Sequence, residues 1–314
     1  MILICGEALF DMFASDLTRD PVTFEAYVGG SPFNVAIGLA RLGEDVAFFG
    51  GISTDLLGEK LIGKLRSESV ITDHVCRPAA LTTLSVVQKD ANGIPAYTFY
   101  GEGAADRMVT EADLPTGIRD LSILHVGSYS ALVEPVASSL KTLIGREKPN
   151  CLIAFDPNIR PTVVADLDLW RKNTEEIASL ADIIKVSDED LALIYPDREP
   201  AEIARYWLEL GAGLVIVTVG AKGAEAFTRD LHVDVSGRAV TVIDTVGAGD
   251  TFQAALLSGL VARNIITRNA LEGLDHAALH EIVLKAVNAS ALTCTRQGAD
   301  LPSRDDVLRF ENSC

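Results

Sequence analysis

Five short apolar runs, each followed at once by polar residues or glycine, constrain the fold of this chain more than any other feature. They lie at residues 2–5, 123–126, 151–155, 182–186 and 214–219. Most of them are separated by stretches with apolar residues at helical spacing, such as Leu57, Leu61 and Leu65. Continuous apolar strands that alternate with amphipathic helices are typical of a mostly parallel sheet with helices on both faces. We therefore predict a doubly wound α/β fold, formed as a single domain over residues 1–314.

Charge and composition narrow the class of protein. The 314 residues include 27 Lys and Arg against 44 Asp and Glu, a net charge of −17, with 48% hydrophobic and 23% charged residues. This is the composition of a folded, soluble protein, and no basic cluster of the kind that binds nucleic acid stands out. Glu7 and Asp11 interrupt the apolar N-terminus well before the ~18 apolar residues that a membrane span needs. We expect neither nucleic acid nor a membrane among the partners.

The cysteines bear on the cellular location. They are Cys5, Cys76, Cys151, Cys294 and Cys314. Their number is odd, they are widely scattered, and they form no C-x-x-C pair, which argues against a disulfide framework and against a zinc site. The pattern favours a reducing compartment, and we expect a cytoplasmic protein.

Two segments interrupt the rhythm of strands and helices. One covers residues 16–28, and the other, residues 81–100, has two β-prone runs around the turn sequence Asp-Ala-Asn-Gly. The second pattern predicts a β-hairpin. We expect the two segments to form a small sheet over about residues 12–30 and 81–106, which covers one end of the domain as a lid.

The strongest local motif is Asp-Thr-Val-Gly-Ala-Gly-Asp-Thr-Phe at residues 244–252. It follows the strand-like residues 239–243 and precedes an apolar run at helical spacing. Small residues at 247–249 let the N–H groups of a first helical turn approach a phosphate closely. Asp250, kept ionised by the positive end of the helix, is suited to act as a general base on a hydroxyl that attacks phosphorus. The alternative is a glycine-rich turn in which Asp250 only begins the helix.

A second glycine motif, Gly29-Gly30, precedes another predicted helix. Ser31 is suited to cap this helix and Pro32 to occupy its first position, so helix formation explains most of the segment. Asn34 stands in the first turn, where its amide can offer both a donor and an acceptor to a polyol. Asn is also common near helix starts, so a structural role stays open for it.

Polar residues also follow the third and fourth apolar runs, at the sheet edge where open α/β folds bind ligands. Asp156, Asn158 and Arg160 follow the third run, and the Arg160 guanidinium is a candidate phosphate ligand. Lys185 lies inside the fourth run, where burial is costly unless its ammonium reaches the site or a carboxylate. The sequence contains no Walker A motif, no protein-kinase catalytic loop and no G-x-G-x-x-G after the first run. P-loop NTPases, protein kinases and dinucleotide dehydrogenases are therefore disfavoured.

With these two glycine motifs about 210 residues apart, the chain resembles the PfkB, or ribokinase-like, carbohydrate kinases over nearly its whole length. The resemblance implies a central sheet flanked by helices, a small β lid, and ATP-dependent phosphorylation of a sugar hydroxymethyl group. It implies that Asp250 is the catalytic base and that the backbone of Gly247, Ala248 and Gly249 is the anion hole. The residues for which it implies sugar binding are Asp11, Gly29, Gly30, Asn34, Phe99, Asn158 and Arg160.

The same resemblance implies an ATP site. In the region that resembles the family's N-x-x-E motif, Ser187 replaces Asn and Asp190 replaces Glu. The residues implied for ATP binding are Lys185, Ser187, Thr218, Gly220, Gly223 and Asn288. Asp190 would contact Mg²⁺, and carbonyl groups around Asp244, Val246 and Gly298 would hold a monovalent cation such as K⁺.

Within the family, residues 6–12, 99–108 and 156–161 look most like the corresponding segments of bacterial fructokinases. The nearest alternative is 2-keto-3-deoxygluconate kinase, whose lid commonly supplies an Arg to the substrate carboxylate, whereas residues 94–106 here contain no Lys or Arg. Ribokinase and nucleoside kinases resemble the chain less. A catalytically silent sugar- or nucleotide-binding regulator is the alternative from another class. The sequence leaves both a monomer and a homodimer open.

Overall fold

The computed structural model describes residues 1–14, 20–89 and 95–312. Its strands are β1 (Ile2–Cys5), β2 (Leu9–Ala14), β3 (Phe24–Gly29), β4 (Val46–Phe49), β5 (Leu84–Lys89), β6 (Pro95–Tyr100), β7 (Ile123–Gly127), β8 (Leu152–Asp156), β9 (Ile183–Ser187), β10 (Leu214–Thr218), β11 (Gly223–Phe227) and β12 (His232–Ser236). Its α-helices are α1 (Ser31–Arg41), α2 (Leu56–Ser67), α3 (Val136–Glu147), α4 (Leu167–Ala178), α5 (Asp188–Ile194), α6 (Pro200–Leu210), α7 (Ala248–Ala262), α8 (Arg268–Glu272), α9 (His276–Thr293) and α10 (Arg304–Glu311). No helix within these described ranges is long and apolar enough to cross a membrane.

The larger sheet has eight strands in the order β12-β11-β10-β9-β8-β7-β1-β4. The six strands from β10 to β4 in this order pair in parallel, while β11 and β12 are antiparallel at one edge. The seven strands from β11 to β4 each contribute to two cores: in β1, Ile2 and Ile4 pack into one, and Leu3 and Cys5 into the other. Burial on both faces is the reason that these strands are continuous apolar runs. The predicted doubly wound, mostly parallel sheet with flanking helices is confirmed.

A separate small sheet has the strand order β3-β2-β5-β6. The predicted hairpin is present as the antiparallel pair of β5 and β6, and its turn at residues 90–93 lies outside the described residues. The small sheet begins at Leu9, three residues earlier than the predicted segment, because β2 follows soon after β1 and pairs with both β3 and β5. Asp11 therefore lies within a strand of the small sheet and not at the end of a large-sheet strand.

One strand prediction is wrong. Residues 239–243 form no strand, and the side chains of Val242 and Ile243 are 57% and 65% exposed. These residues have β-prone side chains but no neighbouring strand to pair with, and a lone extended segment gains nothing from a sheet ladder. Ile243 is held instead by its backbone N–H, which donates to the carbonyl of Cys294 at the end of α9.

Candidate active site

The N-terminus of α7 is the centre of the candidate site. Gly247 precedes the helix with a left-handed φ of 78°, and a Cβ added there would lie 2.9 Å from the side chain of Ala299. Both observations require glycine at this position. No side chain from the described part of the chain caps this helix end. The first-turn N–H groups, which have no acceptors inside the helix, and the positive end of the helix dipole together form a site for an anion.

Asp250 lies in the first turn of α7 and is held by two side chains from α1. Ser31 Oγ donates to its Oδ1 at 2.7 Å, and Asn34 Nδ2 donates to its Oδ2 at 2.8 Å. Burial raises the pKa of Asp250, and these hydrogen bonds and the charge on Lys185 oppose the rise. A carboxylate that is more basic than usual and held at both oxygens is well suited to accept a proton from a hydroxyl group.

The role expected for Ser31 as a helix cap is wrong. The N-cap of α1 is Gly30, with φ of 105°, and no side chain of the described residues caps this helix. A Cβ at Gly30 would lie 2.7 Å from the backbone oxygen of Glu7, so glycine is needed where β3 passes into α1. Ser31 is instead the first residue of the helix, and its hydroxyl is free to reach Asp250.

Lys185 and Asp156 form a buried ion pair beside the anion site. Lys185 Nζ donates to Asp156 Oδ2 at 2.8 Å, and the two residues are 4% and 1% exposed. A Cβ added to Gly249 would lie 3.1 Å from Lys185 Nζ, so the ammonium is next to the first turn of α7. Burial alone lowers the pKa of Lys185, but Asp156, Asp190 and Asp250 raise it above its ordinary value, and the ammonium stays charged.

Asp11, a residue of the small sheet, lies near Asp250 and Arg160. Burial raises the pKa of its carboxyl, the nearby positive charge of Arg160 lowers it, and the negative charge of Asp250 raises it further. A Cβ added to Gly29 would lie 2.5 Å from Asp11 Oδ2, so glycine leaves room for this carboxylate. Ser85, opposite Asp11 in the sheet register and 1% exposed, lies between Asp11 and Phe99.

The other residues expected at the sugar side are less closely tied to this cluster. The ring of Phe99 is half-buried and packs edge-on against Tyr129, with 6.2 Å between ring centres. Asn158 has a left-handed φ of 40°, which Asn tolerates better than most residues, so the backbone alone accounts for its identity. Arg160 is exposed, and its guanidinium acts electrostatically on both Asp11 and Asp190.

The residues expected for ATP binding lie along the adjoining sheet edge. Ser187 ends β9, and its hydroxyl accepts from the N–H of Asp190 at 3.0 Å as the cap of α5. Thr218 ends β10, and Gly220 follows with a left-handed φ of 50°. A Cβ at Gly223 would lie 2.0 Å from the Val235 backbone oxygen, so the β11–β12 contact by itself requires this glycine.

Asn288 lies apart from that edge. It is 9% exposed and belongs to α9, which packs against α7.

Two further sets of residues bear on cations. Asp244 accepts hydrogen bonds from the N–H groups of Val246 at 3.1 Å and Gly298 at 2.9 Å, so its side chain joins the two loops expected to hold a monovalent cation. Asp190 is 8% exposed, and its Oδ1 accepts from the N–H of Ile159 at 3.1 Å. Among the described residues, no group of three or more His, Cys, Asp or Glu side chains could enclose a metal ion. Mg²⁺ bound with a nucleotide needs only one or two carboxylates, since phosphates and water complete its shell, and Asp190 fits that requirement.

The structure thus brings together Asp250, Asn34, Lys185, Asp190, Arg160 and Asp11. Ser187 and Thr218 end the neighbouring strands β9 and β10, whereas Asn288 lies apart on α9. Sequence reasoning missed the contact of Ser31 with Asp250 and the place of Ser85 beside Asp11. It also assigned no partner to Lys185, although the cost of burying a lysine inside an apolar strand pointed to a carboxylate.

Comparison with known proteins identifies the class. The family model described as pfkB family carbohydrate kinase matches residues 2–306. The chain belongs to this family, and the predictions of the family and of a phosphotransferase acting on a sugar hydroxyl are confirmed.

Three relatives show how far the similarity extends. A fructokinase from Rhizobium leguminosarum bv. trifolii is 42% identical over 283 residues, which cover 89% of this chain and 85% of that protein. The structure of fructokinase with bound ATP from Xylella fastidiosa has a TM-score of 0.90 at 29% identity, over 99% of this chain and 98% of that one. The structure of Vibrio cholerae O395 fructokinase in its fructose, ADP and calcium ion bound form has a TM-score of 0.84 at 30% identity, over 98% of each chain.

Proposed function

We propose that this chain is an ATP-dependent fructokinase, which transfers the γ-phosphoryl group of ATP to a primary hydroxyl of fructose. The observation that carries the proposal is the position of Asp250, held by Ser31 and Asn34 at an uncapped helix N-terminus with Lys185 nearby. Fructokinases from bacteria and plants among the relatives support the choice of sugar, and one solved relative contains fructose and ADP.

The chemistry follows from this arrangement. Asp250 takes the proton of the sugar hydroxyl as its oxygen bonds to the γ-phosphorus, the bond between that phosphorus and the bridging oxygen breaks, and ADP leaves. The backbone N–H groups of residues 247–249 and the ammonium of Lys185 stabilise the negative charge on the phosphoryl group during transfer. Because these groups are fixed before the substrates bind, little reorganisation is needed during the transfer.

Polar groups, glycine backbone and one aromatic ring form the proposed sugar side. Asp11 and Asn34 can satisfy sugar hydroxyls, Gly29 and Gly30 admit the sugar near the backbone, and the ring of Phe99 covers it. Asn158 and Arg160 complete this side at the end of β8. We propose that the small sheet acts as a lid on the single domain of residues 1–314.

Nucleotide and cations are assigned to the adjoining edge. Lys185, Ser187, Thr218, Gly220, Gly223 and Asn288 are the proposed ATP-binding residues. Asp190 would hold the Mg²⁺ that accompanies ATP, and the carbonyl groups of the loops joined by Asp244 would hold K⁺ next to the anion hole. The magnesium would neutralise phosphate charge when bound.

A 2-keto-3-deoxygluconate kinase is the second candidate, and the charges near the small sheet count against it. Its substrate carries a carboxylate, which needs a cation when the lid closes. Arg160 already faces Asp11 and Asp190, and the Arg107 guanidinium lies over the Tyr129 ring within range of the buried Asp106. A neutral ketohexose meets no such requirement.

The assay presents fructose, 2-keto-3-deoxygluconate, ribose and a nucleoside separately to the purified protein with ATP and Mg²⁺. ADP release and the mass of the product are measured. We expect fructose to give the highest kcat/KM and a product heavier by one phosphoryl group. Binding of fructose without turnover of any sugar would instead favour a silent regulator, and turnover of another sugar alone would remove the fructokinase assignment.

Two further properties belong to this proposal. A cytoplasmic location suits an enzyme that draws on cellular ATP. A homodimer is compatible with the outer strand β3, where the side chains of Phe24 and Tyr27 are 42% and 40% exposed. Sedimentation of the purified protein tests the homodimer.

A further inference from the structure

The ion pair of Lys185 and Asp156 is more deeply buried than phosphate binding requires. Both side chains are almost fully removed from solvent, with exposures of 6% and 2%. Taking two charges out of water costs several kcal/mol per ion, and an apolar pair of similar volume often serves stability as well or better. Stability alone therefore does not explain a buried ion pair at this position, and a functional role is the better explanation.

The surroundings leave Asp156 with one cationic partner. His125, on the neighbouring strand β7, lies near Asp156, but burial lowers the pKa of its imidazole to about 4, so the ring is neutral near pH 7. Its Nδ1 is instead 3.3 Å from Nε2 of Gln253 on α7. Among the described residues, Asp156 accepts a hydrogen bond from one charged group, the Lys185 ammonium, at Oδ2. Its other oxygen, Oδ1, has no hydrogen-bond partner in the same part of the chain.

Strand geometry fixes this carboxylate firmly. Asp156 ends β8, which pairs with β7 on one side and β9 on the other, and its backbone lies in register with Gly127. A long lysine side chain has many rotamers, and one short hydrogen bond to an immobile acceptor selects among them. The selected position is the one that places Nζ beside Gly249, one of the three residues proposed for the anion hole.

We propose that Asp156 is a positioning residue: it holds the ammonium of Lys185 against the anion hole, where Lys185 acts on the phosphoryl group during transfer more than on bound ATP. This inference rests on the proposed kinase function. An ammonium carries three N–H donors, and the bond to Asp156 uses one of them, which leaves donors for the transferring group. The interaction therefore strengthens in the transition state and should affect kcat more than the KM for ATP.

The test compares D156N with D182N. Asp182 is a suitable control because it is also buried and is paired with Arg268 Nη1 at 2.8 Å. It lies just before the first residue of β9, whereas the candidate site lies at the end of that strand. We expect D156N to lower kcat at least ~10²-fold while the KM for ATP stays within about threefold, and D182N to keep near-normal kcat whatever its effect on melting temperature. Equal kcat losses in the two variants, or a normal kcat in D156N, would overturn the proposal.

A double-mutant cycle separates positioning from folding. In a K185M background, D156N should lower kcat no further, because the residue that Asp156 positions is absent. If D156N alone does not fold, the apolar pair K185M/D156L replaces both charges, and its kcat should match that of K185M. A further loss in either double variant would show that Asp156 acts independently of Lys185. Wild-type turnover of fructose tests the proposed function separately, since the variants are compared on whichever sugar the wild-type protein phosphorylates best.

Discussion

The two sides of the candidate cleft are built differently. On the large-sheet side, Lys185 and Asp156 are almost fully buried, and Asp250 is held by hydrogen bonds from α1. On the small-sheet side, Asp11 lies in a four-stranded sheet whose aromatic residues Tyr27 and Tyr100 are 40% and 63% exposed. The first side is built into the two main cores, and the second joins those cores through fewer residues, among them Leu9, Phe10 and Phe99.

This difference suggests a division of labour. Groups that must meet a transition state within a fraction of an ångström are best placed on buried strands and helix ends. Groups that select the sugar can lie on a smaller, more exposed sheet, because substrate binding demands less exact placement than the transfer step. We therefore expect changes on the large-sheet side to lower kcat and changes on the small-sheet side to raise the KM for the sugar.

The largest effect is expected from Asp250→Asn, which keeps the size of the side chain and one acceptor oxygen but removes the base. Turnover should fall at least ~10²-fold while fructose and ATP still bind, as measured by steady-state kinetics and calorimetry. Asp275→Asn is the matched control, because Asp275 also lies at a helix start and only caps it, accepting from the N–H of Ala278. Near-normal turnover in Asp250→Asn would mean that this residue, like Asp275, only begins its helix.

Gly249→Val should cause a loss of the next size. Its φ is not in the left-handed region, which Gly247 occupies instead, so the new side chain would act by its volume. It would approach Lys185 Nζ, which Asp156 holds in place, and it would cover the N–H groups that meet the phosphate. We expect kcat to fall about 10²- to 10³-fold in a folded protein. Gly63→Val in α2, where a Cβ meets nothing within 4 Å, serves as the control, and equal kinetics for the two variants would contradict a role of Gly249 in the anion hole.

Asp11→Ala tests the small-sheet side. Loss of a charged hydrogen-bond partner should raise the KM for fructose about 10- to 100-fold, with kcat and the KM for ATP changed much less. Thr98→Val, at an exposed position of β6 next to Phe99, should change none of these constants. If Asp11→Ala lowered kcat as strongly as Asp250→Asn, the result would contradict the division of roles between the two sides.

The last effect concerns stability at the junction of the two sides, not turnover, and it depends on pH. Glu7 lies between β1 and β2, is 1% exposed, and accepts a hydrogen bond from Ser130. Burial raises the pKa of its carboxyl to about 7, from an ordinary value of 4.5. The unfolded chain loses this proton near pH 4.5 and the folded protein only near pH 7, so Glu7 costs stability as the pH rises through this window.

Glu7→Gln should therefore match the wild-type free energy of unfolding at pH 4 and exceed it by about 3 kcal/mol at pH 8, at ~1.36 kcal/mol per pKa unit. Urea unfolding at the two pH values measures the difference. A constant difference between the two proteins across this range would mean that folding does not raise the pKa of Glu7.

The same division separates what the sequence could and could not predict. Apolar runs predicted five of the eight large-sheet strands, namely β1, β7, β8, β9 and β10, because burial on both faces leaves a strong local pattern. The glycine motif predicted the start of α7. The contacts that complete the site are long-range: Ser31 and Asn34 meet Asp250 across 219 and 216 residues of chain. Local spacing does not reveal such pairings, so the sequence predicts a capping role for Ser31 and not its contact with Asp250. Residues 239–243 show the converse, since β-prone side chains alone form no strand without a partner.

In the proposed enzyme, the small-sheet side selects a neutral sugar, which the large-sheet side then phosphorylates. The most direct measurement is a competition between fructose and 2-keto-3-deoxygluconate for the wild-type protein with ATP and Mg²⁺. We predict a kcat/KM for fructose at least ~100-fold higher, a difference of about 2.7 kcal/mol at ~1.36 kcal/mol per tenfold. A preference for the acid would mean that a cation, with Arg160 the first candidate, leaves its carboxylate neighbours to bind the substrate, and it would contradict the fructokinase assignment.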